Sequence, residues 1–281
     1  MTNLSLKSET VSHLESVLAM NKLTGKVAIV TGGASGIGEA TAHVFANHGA
    51  RAVVIVDVQD EKGQAVVESI GLERCSYVHC DVSDEEQVKD MVDWTVQKYG
   101  QLDIMFSNAG IASKSDQKIL DLDFSQFDRL FKVNVRGMAI CVKHAARVMV
   151  EKGVKGTIVC TASAVVNNWR GATSMTDYTM SKNAVLGLAR TASQQLGVHG
   201  IRVNTISPTA IATPITVGTG LTSSEVVEKV FGPFTPLKGI TLTVKHIADS
   251  VLFLVSDDSA FVTGHDLVVD GGLISLPHLN F

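Results

Sequence analysis

The stretch KVAIVTGGASGIGEATAHVFANHG, residues 26–49, combines three local signals that decide the fold. Its first six residues (26–31) form a short apolar run, typical of a strand that is buried on both faces. A glycine-rich turn follows, and then a segment of helical period from about Gly36 to His48, with Gly49 placed to end the helix. A strand, a tight turn and a helix in this order predict the start of a βαβ unit.

The rest of the chain repeats this alternation of β-branched runs and longer helical segments. Further strands are predicted at AVVIVD (52–57), SYVHCD (76–81), LDIMFSNAG (102–110), GTIVCTAS (156–163), IRVNTIS (201–207) and DLVVDGG (266–272). Helices are predicted from about Asp60, after the capping residue Asp84, over about Phe124 to Glu151, and through Tyr178 to about Val198. Strands that alternate with helices imply right-handed crossovers, and therefore an α/β fold with a doubly wound parallel sheet of seven strands and helices on both faces.

A single domain over residues 23–281 is expected, because no linker, repeat or low-complexity tract interrupts the pattern. Residues 1–22 are expected to be a flexible extension, and a short helix is the alternative. This extension lacks an apolar core long enough for a signal peptide. It carries Glu9 and Glu15 but no arginine, which is unlike an organellar transit sequence. The predicted location is therefore cytoplasmic.

Composition excludes several classes of function. The net charge of −4 without a basic stripe argues against nucleic-acid binding, and no apolar run approaches the length of a membrane span. The four cysteines form no CxxC pair, and no histidine cluster offers metal-ligand spacing, so no metal site is predicted. We interpret the cysteines as small buried residues, which is consistent with a reducing compartment: Cys75, Cys80, Cys141 and Cys160.

The glycine-rich turn and the acid after the second strand point to a dinucleotide. Glycines at 32, 36 and 38 would let backbone N–H groups approach a pyrophosphate at the positive end of a helix. Alone this signal is weak, because loops use glycine for positive φ in any case. Asp57 ends the second strand at about the spacing of an acid that binds the adenosine ribose. A carboxylate there would repel a 2′-phosphate, and no cation follows before Lys62, so the pattern favours NAD over NADP.

Five motifs in order along these elements resemble the short-chain dehydrogenase/reductase family. They are TGGASGIG (31–38), SNAG (107–110), Asn134 in VNVRG, Ser163 in TAS, and YTMSK (178–182), and the match runs from about Lys22 to Gly272. The resemblance implies a one-domain Rossmann fold and a homotetramer, with a homodimer as the alternative. DVQDEKGQAVVESIG, CSYVHCDVSDEEQV and TDYTMSKNAVLGLAR further resemble plant members that act on isopiperitenol, borneol and nepetalactol-related monoterpenoids.

The resemblance also assigns roles to residues. The catalytic set would be Asn134, Ser163, Tyr178 and Lys182. Tyr178 would be the general base, Lys182 would lower its pKa, and Ser163 would orient the substrate oxygen. Asn134 would hold a water that links the lysine to solvent. NAD would be held by Gly32, Ser35, Gly36, Ile37, Gly38, Asp57, Asp81, Val82, Asn108, Ala109, Gly110, Tyr178, Lys182, Pro208, Ile211 and Thr213.

Two segments depart from the family pattern. Pro208 is followed by Thr209 where the family usually has glycine, and the glycine- and proline-containing segment of about 209–240 is expected to be a mobile lid or a flexible surface loop. The interval between the catalytic serine and tyrosine is longer than usual. Its extra residues are expected to shape the pocket wall or to lie at a subunit contact: Asn167, Asn168, Trp169 and Arg170.

Three functions are compatible with these residues. The first is an NAD-dependent dehydrogenase for a small apolar cyclic alcohol or lactol, for which Val165, Val166 and Trp169 would supply apolar pocket wall. The second is a redox-neutral monoterpenoid cyclase that keeps NAD as a bound scaffold. The third, a non-catalytic NAD-binding protein, is disfavoured by the unbroken set of four catalytic residue types.

Overall fold

The computed structural model describes residues 21–166, 173–217 and 221–274. The predicted N-terminal extension therefore lies outside the described residues, apart from its last two positions. The same holds for the four residues expected in the pocket wall or subunit contact, Asn167, Asn168, Trp169 and Arg170, and for positions 218–220 of the predicted lid.

The elements follow the predicted alternation closely. The strands are β1 (Val27–Thr31), β2 (Ala52–Asp57), β3 (Cys75–His79), β4 (Ile104–Ser107), β5 (Thr157–Thr161), β6 (Arg202–Pro208) and β7 (Asp266–Val269). The α-helices are α1 (Gly36–Asn47), α2 (Asp60–Ile70), α3 (Glu85–Tyr99), α4 (Phe124–Phe131), α5 (Met138–Lys152), α6 (Thr176–Leu196), α7 (Pro214–Val217), α8 (Ser224–Phe231) and α9 (Val244–Val255).

In the described part of the chain, the strands form one seven-stranded parallel sheet in the order β3-β2-β1-β4-β5-β6-β7, which confirms the predicted fold class. The order reverses between β1 and β4, where Val30 is paired with Ile55 on one side and with Phe106 on the other. In an open α/β sheet, ligands bind beyond the carboxyl ends of the strands at this point of reversal. The glycine-rich turn leaves β1 at that edge.

Each face of the sheet is covered by its own layer of apolar side chains. Along β1, Ile29 belongs to one buried cluster and Ala28 and Val30 belong to the other, as the two-residue period of a strand requires. Every residue of β1, β2, β4 and β5 is buried. The four cysteines are buried free thiols within these layers.

The predicted continuous helix over about 124–151 is interrupted. It consists of α4, a π-helical segment (Lys132–Gly137) and α5. Asn134 lies in the π-helical segment, and a side chain at Gly137 would come within 3.0 Å of the Val82 side chain. Single π turns within α-helices occur frequently at functional sites. Apolar periodicity did not reveal this one, because the apolar residues keep helical spacing on both sides of the extra residue.

Among the described residues, no helix has the length and apolar character needed to cross a membrane. No group of three or more histidine, cysteine, aspartate or glutamate side chains in this part of the chain is arranged to hold a metal ion.

The predicted capping role of Asp84 is confirmed and gives a test of the fold. Its carboxylate accepts hydrogen bonds from the backbone N–H groups of Glu86 at 3.0 Å and Gln87 at 3.2 Å. Asp84→Ala should lower the free energy of unfolding by about 1 kcal/mol, measured by urea denaturation, because two N–H groups at the start of α3 lose their acceptor. Asp84→Asn keeps an acceptor oxygen and should be close to wild type; equal losses in both variants would contradict the capping role.

Candidate active site

The glycine-rich turn brings the backbone of β1 against the start of α1. Gly32 and Gly36 have φ of 64° and 59°, a region that favours glycine. A Cβ at Gly38 would lie 2.1 Å from the carbonyl oxygen of Gly32, so no side chain fits there. Ser35 precedes the helix, and its side chain makes no capping hydrogen bond to the first turn. The turn therefore presents a helix N-terminus whose N–H groups the Ser35 side chain does not cap, which suits a pyrophosphate.

Asp57 holds the end of β2 to this turn. One carboxylate oxygen accepts a hydrogen bond from the backbone of Ala34 at 3.2 Å, and the other accepts from the backbones of Val58 at 2.8 Å and Gln59 at 3.1 Å. A carboxylate has about four acceptor positions. The Gln59 side-chain amide also lies 3.3 Å from this second oxygen, whereas the oxygen bound to Ala34 has no other partner among the described residues and keeps capacity for a ribose hydroxyl group.

Asp81 and Val82 follow β3 at the same edge of the sheet. Asp81 accepts a hydrogen bond from the backbone of Ser83 at 2.9 Å, and its own backbone N–H donates to the Gln87 side chain at 2.9 Å. Val82 is buried against Gly137. Both residues stand beside the end of β2, where the adenine of a dinucleotide is expected.

Asn108 fastens the ends of three strands together. Its backbone N–H, like that of Ala109, donates to the Thr31 hydroxyl, at 2.9 and 3.1 Å. The Asn108 side-chain amide donates to the Thr31 carbonyl at 3.1 Å, and its oxygen accepts from the Thr161 hydroxyl at 3.0 Å. Sequence reasoning missed Thr31 and Thr161, since a threonine at the end of a strand is an ordinary residue and only its place beside the glycine-rich turn and the TAS motif offered a signal.

Asn134 is fully buried, and its side chain is occupied by protein groups. Its amide oxygen accepts from the backbone N–H of Ile111 at 2.8 Å, and its amide nitrogen donates to the Ile111 carbonyl at 2.9 Å. The same nitrogen lies 3.4 Å from the Ser181 hydroxyl. A Cβ at Gly110 would approach the Asn134 oxygen to 3.3 Å and the Lys182 nitrogen to 3.6 Å. The asparagine thus holds the chain after β4 against the helix that carries the lysine.

Tyr178 and Lys182 lie one turn apart near the start of α6. The Lys182 nitrogen is 5.5 Å from the centre of the Tyr178 ring and donates a hydrogen bond to the Thr161 carbonyl at 2.8 Å. The Tyr178 hydroxyl is hydrogen bonded to the side chain of Ser163, which follows β5. The predicted serine, tyrosine and lysine therefore converge at the carboxyl edge of the sheet, and Asn134 stands behind them.

Burial shifts the two ionisable groups away from their charged forms. It lowers the pKa of Lys182 to about 8 and raises the pKa of Tyr178, while the hydrogen bond with Ser163 acts on the tyrosine in the opposite direction. The phenol of this structure is therefore protonated at neutral pH. The lowering of the tyrosine pKa by Lys182 together with a bound oxidised nicotinamide stays a prediction.

The chain after β6 crosses above the glycine-rich turn. Pro208 ends β6, the Ile211 side chain is buried in the core, and the Thr213 side chain lies 3.4 Å from the position of a Cβ on Gly36. A pocket of about 360 Å³ opens here, lined by Ala212, Thr213, Pro214 and Thr222. Ile37, at the base of the turn, is partly buried and packs on the core. The cofactor-binding residues predicted from sequence thus lie at one edge of the sheet, around one cleft.

Comparisons with known proteins agree with this arrangement. Residues 32–274 match the family model described as Enoyl-(Acyl carrier protein) reductase. The chain is 61% identical to a (−)-isopiperitenol/(−)-carveol dehydrogenase, mitochondrial, of Mentha piperita, over 92% of this chain and 97% of that protein. It is also 61% identical to a (+)-cis,trans-nepetalactol synthase of Nepeta racemosa, over 91% of this chain and 96% of that protein.

Among solved structures, a short-chain type dehydrogenase/reductase from Mycobacterium marinum superposes with a TM-score of 0.83 at 33% identity. The superposition covers 92% of this chain and 98% of that one. The reversal of strand order, the glycine-rich turn, the converging serine, tyrosine and lysine, and these similarities together show that the chain belongs to the short-chain dehydrogenase/reductase family.

Proposed function

We propose that this protein is an NAD-dependent dehydrogenase that oxidises a small cyclic monoterpenoid secondary alcohol or lactol to the ketone or lactone. The observation that carries the proposal is the half-buried Tyr178, hydrogen bonded to Ser163, one helical turn from the buried Lys182. The similarity to the isopiperitenol/carveol dehydrogenase supports this substrate class.

The proposed roles follow from the positions of the side chains. Ser163 hydrogen bonds the substrate oxygen and orients it toward Tyr178, whose phenolate oxygen takes the hydroxyl proton. Lys182, held by the Thr161 carbonyl, stays close enough to stabilise the phenolate and to pass the proton onward. A bound nicotinamide would supply the hydride acceptor and a positive charge, which favours the phenolate. Because burial raises the tyrosine pKa in the cofactor-free protein, the base forms only in the loaded site.

NAD is proposed as the cofactor rather than NADP. Asp57 is only 8% exposed, and three backbone N–H groups fix its carboxylate beside the glycine-rich turn. The carboxylate of Asp57 would repel a 2′-phosphate at this place, and its hydrogen bonds prevent it from rotating away. The nearby Lys62 donates instead to the Gln59 side chain, at 2.8 Å.

A redox-neutral cyclase that keeps NAD as a bound scaffold is the second candidate. The observation that favours it is the equal identity, 61%, to a nepetalactol synthase. A cyclase would use the same cleft to fold a reactive dialdehyde or enol, without net transfer of hydride. The two candidates therefore differ in their redox balance and share their site.

We also propose a lid, a domain organisation, an oligomeric state and a cellular location for this protein. Residues 209–240 form a lid over the substrate within a single domain, 23–281, which residues 1–22 precede. The protein assembles as a homotetramer, which light scattering would distinguish from a homodimer. The cytoplasm is the proposed location; the name of the Mentha piperita relative places that protein in mitochondria, so imaging of the full chain fused at its C-terminus is the test.

The function is tested by assaying the purified protein against borneol, isopiperitenol, nepetalactol and steroid alcohols while NADH absorbance is followed. We expect NADH to form with at least one monoterpenoid. Product formed from a dialdehyde or enol without change in NADH would instead establish the cyclase. Silence in both assays would favour the third function, a non-catalytic NAD-binding protein.

Tyr178→Phe is the matched variant for this assay. It should leave NAD affinity unchanged, measured by calorimetric titration, and lower kcat for alcohol oxidation by at least roughly a hundredfold, because the ring remains and the proton acceptor is lost. An equal loss of NAD affinity and turnover would show that the tyrosine is structural.

Asp57→Asn tests the cofactor preference. Loss of the charge should lower the ratio of kcat/KM for NAD to that for NADP roughly tenfold to a hundredfold, the usual value of a charged hydrogen bond. Asp60→Asn, at an exposed carboxylate at the start of α2, is the control and should leave the ratio unchanged. A ratio that does not change in Asp57→Asn would refute the assignment.

The lowered pKa of Lys182 predicts a pH dependence of stability. Between its folded pKa of about 8 and its ordinary value of 10.5, the unfolded chain keeps a proton that the folded chain has lost. Its contribution to the free energy of unfolding therefore rises with pH across this window, by at most about 1.4 kcal/mol per pH unit. Below the window the lysine is charged in both states and the burial penalty is complete.

Lys182→Met lacks this titration. In urea denaturation of the cofactor-free protein at pH values from about 7 to 10, wild type should gain stability relative to the variant as the pH rises above 8. A difference that stays constant over this range would mean that the buried lysine keeps its ordinary pKa.

A further inference from the structure

The segment that follows the SNAG motif, residues 111–117, is fastened to the catalytic elements at both ends and in the middle. At its start, Ile111 forms the reciprocal pair of hydrogen bonds with the Asn134 side chain. At its end, the Gln117 backbone N–H donates to the Ser174 carbonyl at 2.8 Å, and the Gln117 carbonyl accepts from Thr176 at 3.2 Å. The segment therefore runs from the asparagine to the first residue of the helix that carries the tyrosine.

The middle attachment joins Ser113 to Asp177, the residue directly before the tyrosine. The Ser113 hydroxyl donates to one oxygen of the Asp177 carboxylate, and the backbone N–H of Tyr178 donates to the other at 2.7 Å. One carboxylate thus holds both the segment and the residue that carries the phenol.

Asp177 is 1% exposed, and no salt bridge reaches it from the described residues. A buried carboxylate without a cation is unfavourable in an ordinary core, where an alanine or an asparagine would serve. Among the described residues, both hydrogen bonds to its carboxylate come from groups near the proposed reacting phenol: the Ser113 hydroxyl and the Tyr178 backbone N–H. The arrangement is therefore explained by what Asp177 positions, and not by stability alone.

We propose that Asp177 is a positioning residue that acts through Ser113 to hold residues 111–117 as one wall of the substrate pocket beside Tyr178. The half-buried side chains of Ile111, Ala112 and Ser113 form the part of this wall between the asparagine and the tyrosine. The proposal rests on the function proposed above, because it assigns this wall to the alcohol and not to the nucleotide.

The test compares variants that break or keep the link. Ser113→Ala and Asp177→Ala break it, Ser113→Thr keeps the hydroxyl, and Asp121→Ala changes an exposed residue outside the segment. With the alcohol that the wild type oxidises best, the two breaking variants should lose roughly tenfold or more in kcat/KM, since small displacements near the reacting atoms are costly. Their KM for NAD should stay within about twofold of wild type, Ser113→Thr should lose less than Ser113→Ala, and Asp121→Ala should match wild type.

The double variant of Ser113→Ala with Asp177→Ala should be no worse than Asp177→Ala alone, because both substitutions remove one link. Additive losses would overturn the proposal. So would unchanged alcohol kinetics in the two breaking variants, which would make the link merely structural.

Hydrogen exchange gives a readout that needs no turnover. Isopiperitenol added to the wild type with NADH, a pair that cannot react, should slow exchange of the amides in 111–117, and this protection should be lost in Ser113→Ala. Oxidation of the alcohol without this protection would contradict the proposed pocket wall but not the proposed dehydrogenase activity. Protection of these amides without oxidation of the alcohol would support the proposed pocket wall and contradict the proposed dehydrogenase activity.

Discussion

The hydrogen bonds of Asn108 are the constraint on which the rest of the site depends. Parallel strands supply hydrogen bonds along their length, but where the strand order reverses each chain departs in its own direction and the ladder ends. Asn108 bridges this gap, because its backbone and side chain bind Thr31 at the end of β1 while its side-chain oxygen binds Thr161 at the end of β5. The glycine-rich turn follows Thr31, and Ser163, the proposed catalytic serine, stands two residues after Thr161. Asn108 therefore fixes the position of the glycine-rich turn relative to the proposed catalytic residues.

The electrostatics of the site are set by burial before any cofactor enters. Lys182 is buried and Tyr178 is half-buried, and desolvation shifts the pKa of each toward its neutral form. Thr161 connects Lys182 to the hydrogen bonds of Asn108. Its carbonyl accepts a hydrogen bond from the lysine, and its hydroxyl donates to the side-chain oxygen of Asn108. In the cofactor-free protein the phenolate form of Tyr178 is therefore disfavoured. In the proposed mechanism, its activation is thereby tied to the arrival of positive charge.

Sequence reasoning predicted the fold well, because strand burial and turn chemistry are local. The run AVVIVD predicted β2 with the bounds that the structure has, and Asp84 caps α3 as its position indicated. The π turn at Lys132–Gly137 and the roles of Thr31 and Thr161 could not be predicted, because they depend on which residues meet across the sheet. The same holds for Asp177, a polar residue in an ordinary helix start until the structure shows Ser113 beside it. The positions of the site residues were predictable from motifs, whereas the partners of their side chains were not.

The π turn has a consequence for how this chain can change length. A π turn is an α-helix with one residue inserted, and each residue of an α-helix advances it by about 100°. Deleting one residue from Lys132–Gly137 would restore regular winding, and it would also rotate all of α5 (Met138–Lys152) by that angle relative to α4. The buried face of α5, including Cys141 and Met149, would then turn away from the sheet. The number of residues in this segment is therefore fixed by the face that α5 must present, fourteen residues after α4 begins at Phe124.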